Sequence, residues 1–440
     1  MPIVDDARNP WRQLYLPLAL RKPPRACGTA LRYALLSVSA YNRARSFPQL
    51  RPDDTLRASG FKDKAKAAIA NAISQISNES DTPDKWALFA AAMTMITIDI
   101  FSGHQTGCSA HMELASRVFV KTGGQSFWKS NPQSDILFQI FRCYGMLDKT
   151  VQVASQPPEA AGRGHPSPIV SPAEEADSMP MPTYYILGIS FGVSLETPNL
   201  LNKVVSVASV LQEDNSIAWP ADLIDSVRSL EDQLHRAEET QSWTGPTFHP
   251  PWTLTETGLD KGSATSDTTL PPAISEELMS NHQQAFHNAV ILFFYRVVHR
   301  ASRSKAGQLP GLKYMQNSQA YVDRVLECLE NIDCLTHGAD IKSAIDTSLR
   351  HRVIIWLSRA AKKGVGNVER GKQLVMEVWR RTDRCLEDDC SRANLGLGPV
   401  DWRSVVKDSG VSIMLCWPGA PWNCSLPTIH VLEISYCSIP

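Results

Sequence analysis

From Trp86 to Ile98 every position is apolar except Thr94 and Thr97, and Leu88, Phe89, Met93, Met95, Ile96 and Ile98 leave no face polar enough for water. A helix patterned this way belongs at the centre of a fold. Its ends are marked as well. Asp81 or Thr82 can cap the start with Pro83 at the first helical position, and Gly103 can close it with a positive φ. A second helical run follows before Gly124, and the rest of the chain is expected to pack around this pair. A membrane span needs about 20 apolar residues, whereas this run is shorter and ends at Asp99, so the expectation is a buried core helix and no membrane association.

Other segments carry the i, i+3, i+4, i+7 spacing of a single buried stripe. Residues 10–20 and 26–41 give two N-terminal helices, the second with Leu31, Ala34, Leu35, Val38 and Tyr41 in register. Gly60–Ile76 reads as an Ala/Lys helix whose Lys62, Lys64 and Lys66 form a solvated face, since a nucleic-acid surface would interleave aromatics with its cations. Asp135–Lys149 and Pro198–Leu211 are further helices, and the TYYIL run before Gly188 is strand-like. The clearest amphipathic signal spans 274–302, through Phe286, Ala289, Val290, Phe293, Phe294, Val297 and Val298, with Ser275 as N-cap and Glu276 and Glu277 in the first turn. Residues 317–332 and 369–384 repeat the pattern, the latter through Leu374, Val375, Val378 and Trp379.

Two stretches break the periodicity. Residues 152–182 are rich in Pro, Ser, Ala and Glu, and 240–272 in Thr, Ser, Gly and Pro. Such compositions bury too little apolar area to offset ordering, so both are expected to be disordered insertions. With no convincing hairpin, the expected fold is all-α: a single large domain of roughly eight to eleven helices over residues 11–410, with an atypical tail at 411–440.

Charge and cysteine usage narrow the function classes. With 44 basic against 45 acidic residues the chain lacks the surplus that makes nucleic-acid binding the default. The ten cysteines are scattered without a C-x-x-C pair, and no signal-peptide pattern opens the chain, which suits reduced thiols in the cytosol or nucleus. Cys385 with Cys390, or Cys334 with His337, would make half of a zinc site, but neither has a second half at ligand spacing.

Three motifs invite chemistry. Gly188-Ile-Ser190-Phe-Gly192 matches the nucleophile elbow of serine hydrolases, which needs a strained strand-to-helix turn above a parallel sheet. The alternating strands and helices of such a sheet are missing, and Pro198 sets the next helix too far downstream. His104, Cys108 and His111 have ligand-like spacing but lack a fourth ligand. The glycines at 364 and 366, and at 396 and 398, lack the full spacing and the lysine of a phosphate loop. The expectation is no catalytic residue and no metal or cofactor held by this chain.

Taken in order, several segments resemble the fungal-specific transcription factor domain, the regulatory region of fungal six-cysteine binuclear zinc cluster transcription factors. YLPLALRKPPRACGTALRYALLSVSAYNRA is similar to the family's opening helix pair, and LFAAAMTMITIDIFSGHQTGCSAHMELASRVFVKTGG to its central helix, turn, histidine and helix unit, with His111 at the family's histidine. KQLVMEVWRRTD followed by VDWRSVVKDSG resembles its late signature, carried by Glu377, Trp379, Arg380, Arg381, Asp383, Asp401, Trp402 and Arg403. The resemblance implies a nuclear, non-enzymatic regulator of RNA polymerase II transcription that binds a small-molecule effector, a co-regulator or a second copy of itself as a homodimer. It also implies DNA contact and zinc only through an N-terminal cluster of six cysteines, and no C-x2-C-x6-C spacing exists in these 440 residues. The alternative is a helical scaffold of the same fold that has lost DNA binding and sequesters partners.

Overall fold

The computed structural model describes residues 10–77, 79–103, 108–155, 186–191, 193–194, 196–213, 219, 221–240, 272–304, 312, 318–337, 349–362, 365–388, 405 and 408. Among these, fourteen α-helices account for nearly all the structure and there is no strand. The excess over the expected count comes from short helices, a turn or so each, that leave no periodic signal.

A π-helical turn at Trp11–Tyr15 leads into α1 (Leu16–Leu20) and α2 (Ala26–Ser46), which pairs with α3 (Arg51–Gln75). Helix α3 starts nine residues before the expected Gly60, because Pro52 sits in its first turn with Asp53 and Asp54 at the positive end of the dipole. The central helix α4 (Thr82–Ser102) begins after Asp81 and ends at Gly103, whose φ of 69° lets its N–H reach Asp99 O at 3.0 Å. Helix α4 is long and apolar enough to pass for a membrane span, yet 94% of its most apolar window is buried inside the fold. It packs on α1, α2, α3, α5 (Cys108–Lys121) and α7 (Pro132–Ser155), with the short α6 (Gly124–Trp128) wedged below.

Aromatic side chains fill that junction. Phe89 lies 4.3 Å from the Trp128 ring and 5.2 Å from Phe141, and Phe119 stacks on Phe138 at 5.4 Å. Trp128, with no exposed surface, donates its indole N–H to Thr122 Oγ1 at 3.0 Å, so its polar edge is satisfied in the core.

The C-terminal half has its own centre. Helix α8 (Ile186–Phe191) joins α7 to α11 (Pro272–Ser304), and α9 (Glu196–Glu213), α10 (Ala221–Thr240) and α12 (Ser318–His337) complete the packing around α11. Helix α11 starts at Pro272, so Ser275 is inside the first turn rather than the cap. Helices α13 (Leu349–Ala361) and α14 (Gly366–Asp388) form a hairpin, and α14 returns to pack on α4. The buried apolar residues, Leu14 through Val405, make one connected cluster.

The two proline-rich stretches fall mostly on residues 156–182 and 241–271, which lie outside the described residues; 152–155, Thr240 and Pro272 belong to helices. The 411–440 tail also lies outside the described residues.

Candidate functional site

An unpaired buried polar group costs about 1–3 kcal/mol, so the polar side chains inside this bundle mark where the fold does more than fill space. Three such places stand out. The first joins α3, α4 and α5. Asp99 is buried on the last turn of α4, where Lys62 Nζ donates to Oδ1 at 2.5 Å and His111 Nε2 lies 3.3 Å from Oδ2. Burial works to raise the carboxyl pKa, but the hydrogen bonds and charges of His111 and Lys62 outweigh it and hold the group below its ordinary value. Lys62 is therefore a partly buried ion-pair partner, whereas the sequence pattern placed it on a solvated face.

The second place is the end of α4. Arg45 donates from Nε to Phe101 O at 3.1 Å and from Nη2 to Ser102 O at 2.6 Å, satisfying carbonyls that the last turn leaves open. Gly366, the first residue of α14, presses against the same turn: a Cβ there would sit 2.4 Å from Gly103 N and 2.6 Å from Phe101 O. The negative end of α4 thus meets the positive end of α14, an approach only two glycines allow. Beyond it, Arg350 on α13 forms a bidentate pair with Asp383 at 2.9 Å and lies 5.4 Å over the Trp379 ring. Glu377 accepts from Arg380 and from Arg381, whose other arm reaches Asp408 at 2.5 Å. Those hydrogen bonds, Arg380's first, pull the Glu377 carboxyl down to about 2.

The third place is the interior of the C-terminal half. Tyr295 on α11 donates its only proton to Glu231 Oε1 of α10 at 3.0 Å, so His235 Nε2, 2.8 Å away, must donate to the Tyr295 oxygen. With a neutral imidazole, Tyr321 on α12 then donates to His235 Nδ1 at 3.1 Å, and a directed relay runs from Tyr321 through His235 and Tyr295 to Glu231. One turn along α10, Leu234 O accepts from His287 Nε2 at 3.0 Å. Asn281 is joined to Asn331, and Gln284 to the Cys328 thiol at 3.8 Å. Burial pushes that thiol up to about 12.

The residues picked out in the sequence do not converge on one site. Glu377, Arg380 and Arg381 form a surface cluster, Trp379 and Asp383 brace α13, and His111 sits apart against Asp99. Asp401, Trp402 and Arg403 lie outside the described residues, as does His104. Ser190 falls within α8, so no strand-to-helix elbow carries it. Among the described residues no cluster of His, Cys, Asp and Glu could hold a metal ion.

A family model described as Fungal specific transcription factor domain matches residues 1–416. The chain belongs to this family. No curated protein and no solved structure matches it. For a member of the fungal-specific transcription factor family, transcription regulation is the role. The buried relay and the Asp99 node were both missed in the sequence. Helix α10 had a readable signal in Leu223, Val227, Leu230 and Leu234, but the partners of His235 lie 60 and 86 residues away, which no local pattern reports.

Proposed function

We propose that this chain is the regulatory region of a nuclear regulator of RNA polymerase II transcription, binding an effector or co-regulator through the α10–α12 half while the α2–α5 half serves as scaffold. The observation that carries the reading is the family match across residues 1–416. The division of labour is supported by the contrast of interiors: apolar packing holds the body of α4, with polar ties confined to its last turn at Asp99, Phe101 and Ser102, whereas the middle of α11 is also tied by hydrogen bonds that a bound molecule can compete for or complete. A ligand shifts such an equilibrium only by its differential affinity, and 1.4 kcal/mol, about the worth of one hydrogen bond, is about tenfold. DNA reading is assigned to a zinc-cluster module in the same complex, since the net charge of −1 gives this chain no general attraction for phosphate.

The test is a reporter assay with the chain fused to an unrelated DNA-binding domain. The reading predicts reporter output that departs from the DNA-binding domain alone and that shifts in His235→Phe, which keeps an aromatic ring at the position and removes both relay bonds. Output equal to the bare DNA-binding domain, across growth conditions and in both forms, would overturn it.

A further inference from the structure

Among the described residues, six of the nine exposed large hydrophobic side chains fall between Leu16 and Leu56, and Leu36, Phe47, Leu50 and Leu56 lie on or between α2 and α3. The outer side of this hairpin also has an organised polar surface. Tyr33 on α2 stacks against Phe61 on α3 with ring centroids 6.3 Å apart. Lys64 Nζ hangs 5.7 Å from the Tyr33 centroid and 5.9 Å from that of Phe61, and the Arg32 guanidinium lies 5.8 Å from Tyr33. Arg32 and Lys64 are exposed and have no carboxylate partner among the described residues.

One turn along α2 comes Leu36, 41% exposed, and two turns further Arg43, whose guanidinium is bidentate to Asp54 at 3.0 Å. Asp54 is buried and also has Arg57 at 3.8 Å, so two arginines share one carboxylate and keep surplus positive charge at the surface. Gly60, between Phe61 and Ser59 on α3, leaves open space where a side chain would stand. The result is an apolar floor of Tyr33, Leu36 and Phe61 edged by cations.

We infer that this exposed α2–α3 face docks an amphipathic acidic helix of a partner protein. Its leucines and aromatics would cover Leu36 and the Tyr33/Phe61 pair, and its carboxylates would meet Arg32, Lys64 and Arg43. Charge complementarity selects the occupant: Arg32 and Lys64, which have no carboxylate partner among the described residues, edge the apolar strip from α2 and α3, which is the arrangement an acidic helix with one apolar stripe requires. The apolar strip argues against a nucleic-acid backbone, which offers phosphates and sugars but nothing to bury Leu36. The inference goes beyond the effector reading and stands independently of the α10–α12 relay.

The experiment uses the full chain and a fluorescein-labelled helical peptide of about 18 residues with Leu and Phe on one stripe and Glu on both flanks. A matched peptide with Lys for every Glu and a short duplex DNA are the competing probes. Fluorescence anisotropy should show saturable binding of the acidic peptide that weakens with salt, and none of the lysine peptide. Arg32→Glu with Lys64→Glu, and separately Leu36→Asp, should each weaken it by about tenfold or more, while Lys203→Glu on α9 leaves it unchanged. Thermal melts matching the parent certify that each variant is folded, and all these side chains are exposed enough to change without loss of the core. Absence of peptide binding, equal binding by the α2–α3 variants, or tighter binding of duplex DNA lost in the same variants would overturn the proposal, the last outcome making the face a phosphate surface.

Discussion

Helices α4 and α11 are enclosed to a similar degree and differ in the kind of polar side chain they bury. From Ala87 to Ser102 every side chain of α4 is buried; Thr94 donates to Ala90 O at 2.7 Å and Ser102 to Asp99 O at 3.1 Å within the helix, and Asp99, at its last turn, is served by Lys62 and His111. From Ala285 to Tyr295 every side chain of α11 is buried too, and the helix takes Asn281, His282, Gln283, His287 and Asn288 into the interior with it. The difference teaches where stability is unconditional. An apolar interior needs only close packing, whereas a polar one is stable to the extent that each donor and acceptor keeps its partner.

Substitutions should expose this contrast, the largest effect falling in the apolar centre. Phe89→Ala empties the space between Trp128, Phe119 and Phe141 and should destabilise by about 3–5 kcal/mol in urea unfolding. Trp379→Ala should come near the low end of that range, about 3 kcal/mol, because the ring lies at the edge of the core, 7% exposed, even though the change also strips Arg350 of its ring. Gly366→Ala puts a methyl against backbone that cannot yield, and should cost about 2–3 kcal/mol and loosen α14 from α4. His235→Phe, by contrast, should cost only about 1–2 kcal/mol, the worth of the lost hydrogen bonds in a site that stays filled. A loss at His235 equal to that at Phe89 would erase the distinction between the two centres.

The smallest effect is a pH slope. Asp99 has a folded pKa below its ordinary value of 3.8, so its contribution is present above that value and is lost as pH falls through the lower folded one. Stability of the parent should therefore drop more steeply below pH 4 than that of Asp99→Asn, as read by thermal melting across an acid series. Parallel curves would mean that the Lys62 and His111 contacts do not select the ionised form.

The asymmetry between the two centres also explains what could be read from the chain. Helix α4 was legible because thirteen consecutive residues carry almost no polar group, and its αL stop at Gly103 was legible because glycine accepts that conformation cheaply. The apolar stripe of α11, Phe286 through Val298, was equally plain. Its polar side was not, because Asn, His and Gln on a helix look solvated until the partners that bury them are known. The rigid organisation around α4 was thus visible in local pattern, while the relay through Tyr321, His235, Tyr295 and Glu231 is a product of three helices brought together by the tertiary fold. The start of α3 is marked in the sequence by Pro52, Asp53 and Asp54, ahead of the alanine-rich run that carries the stronger helical pattern.

Native-state hydrogen exchange read by mass spectrometry tests the two-centre account most directly. Amides of α4 should exchange only through global unfolding, while those of α10, α11 and α12 should open together at a free energy about 1–3 kcal/mol lower. Protection in α11 equal to or greater than that in α4 would contradict the account, and with it the assignment of the polar half as the part that responds to a bound molecule.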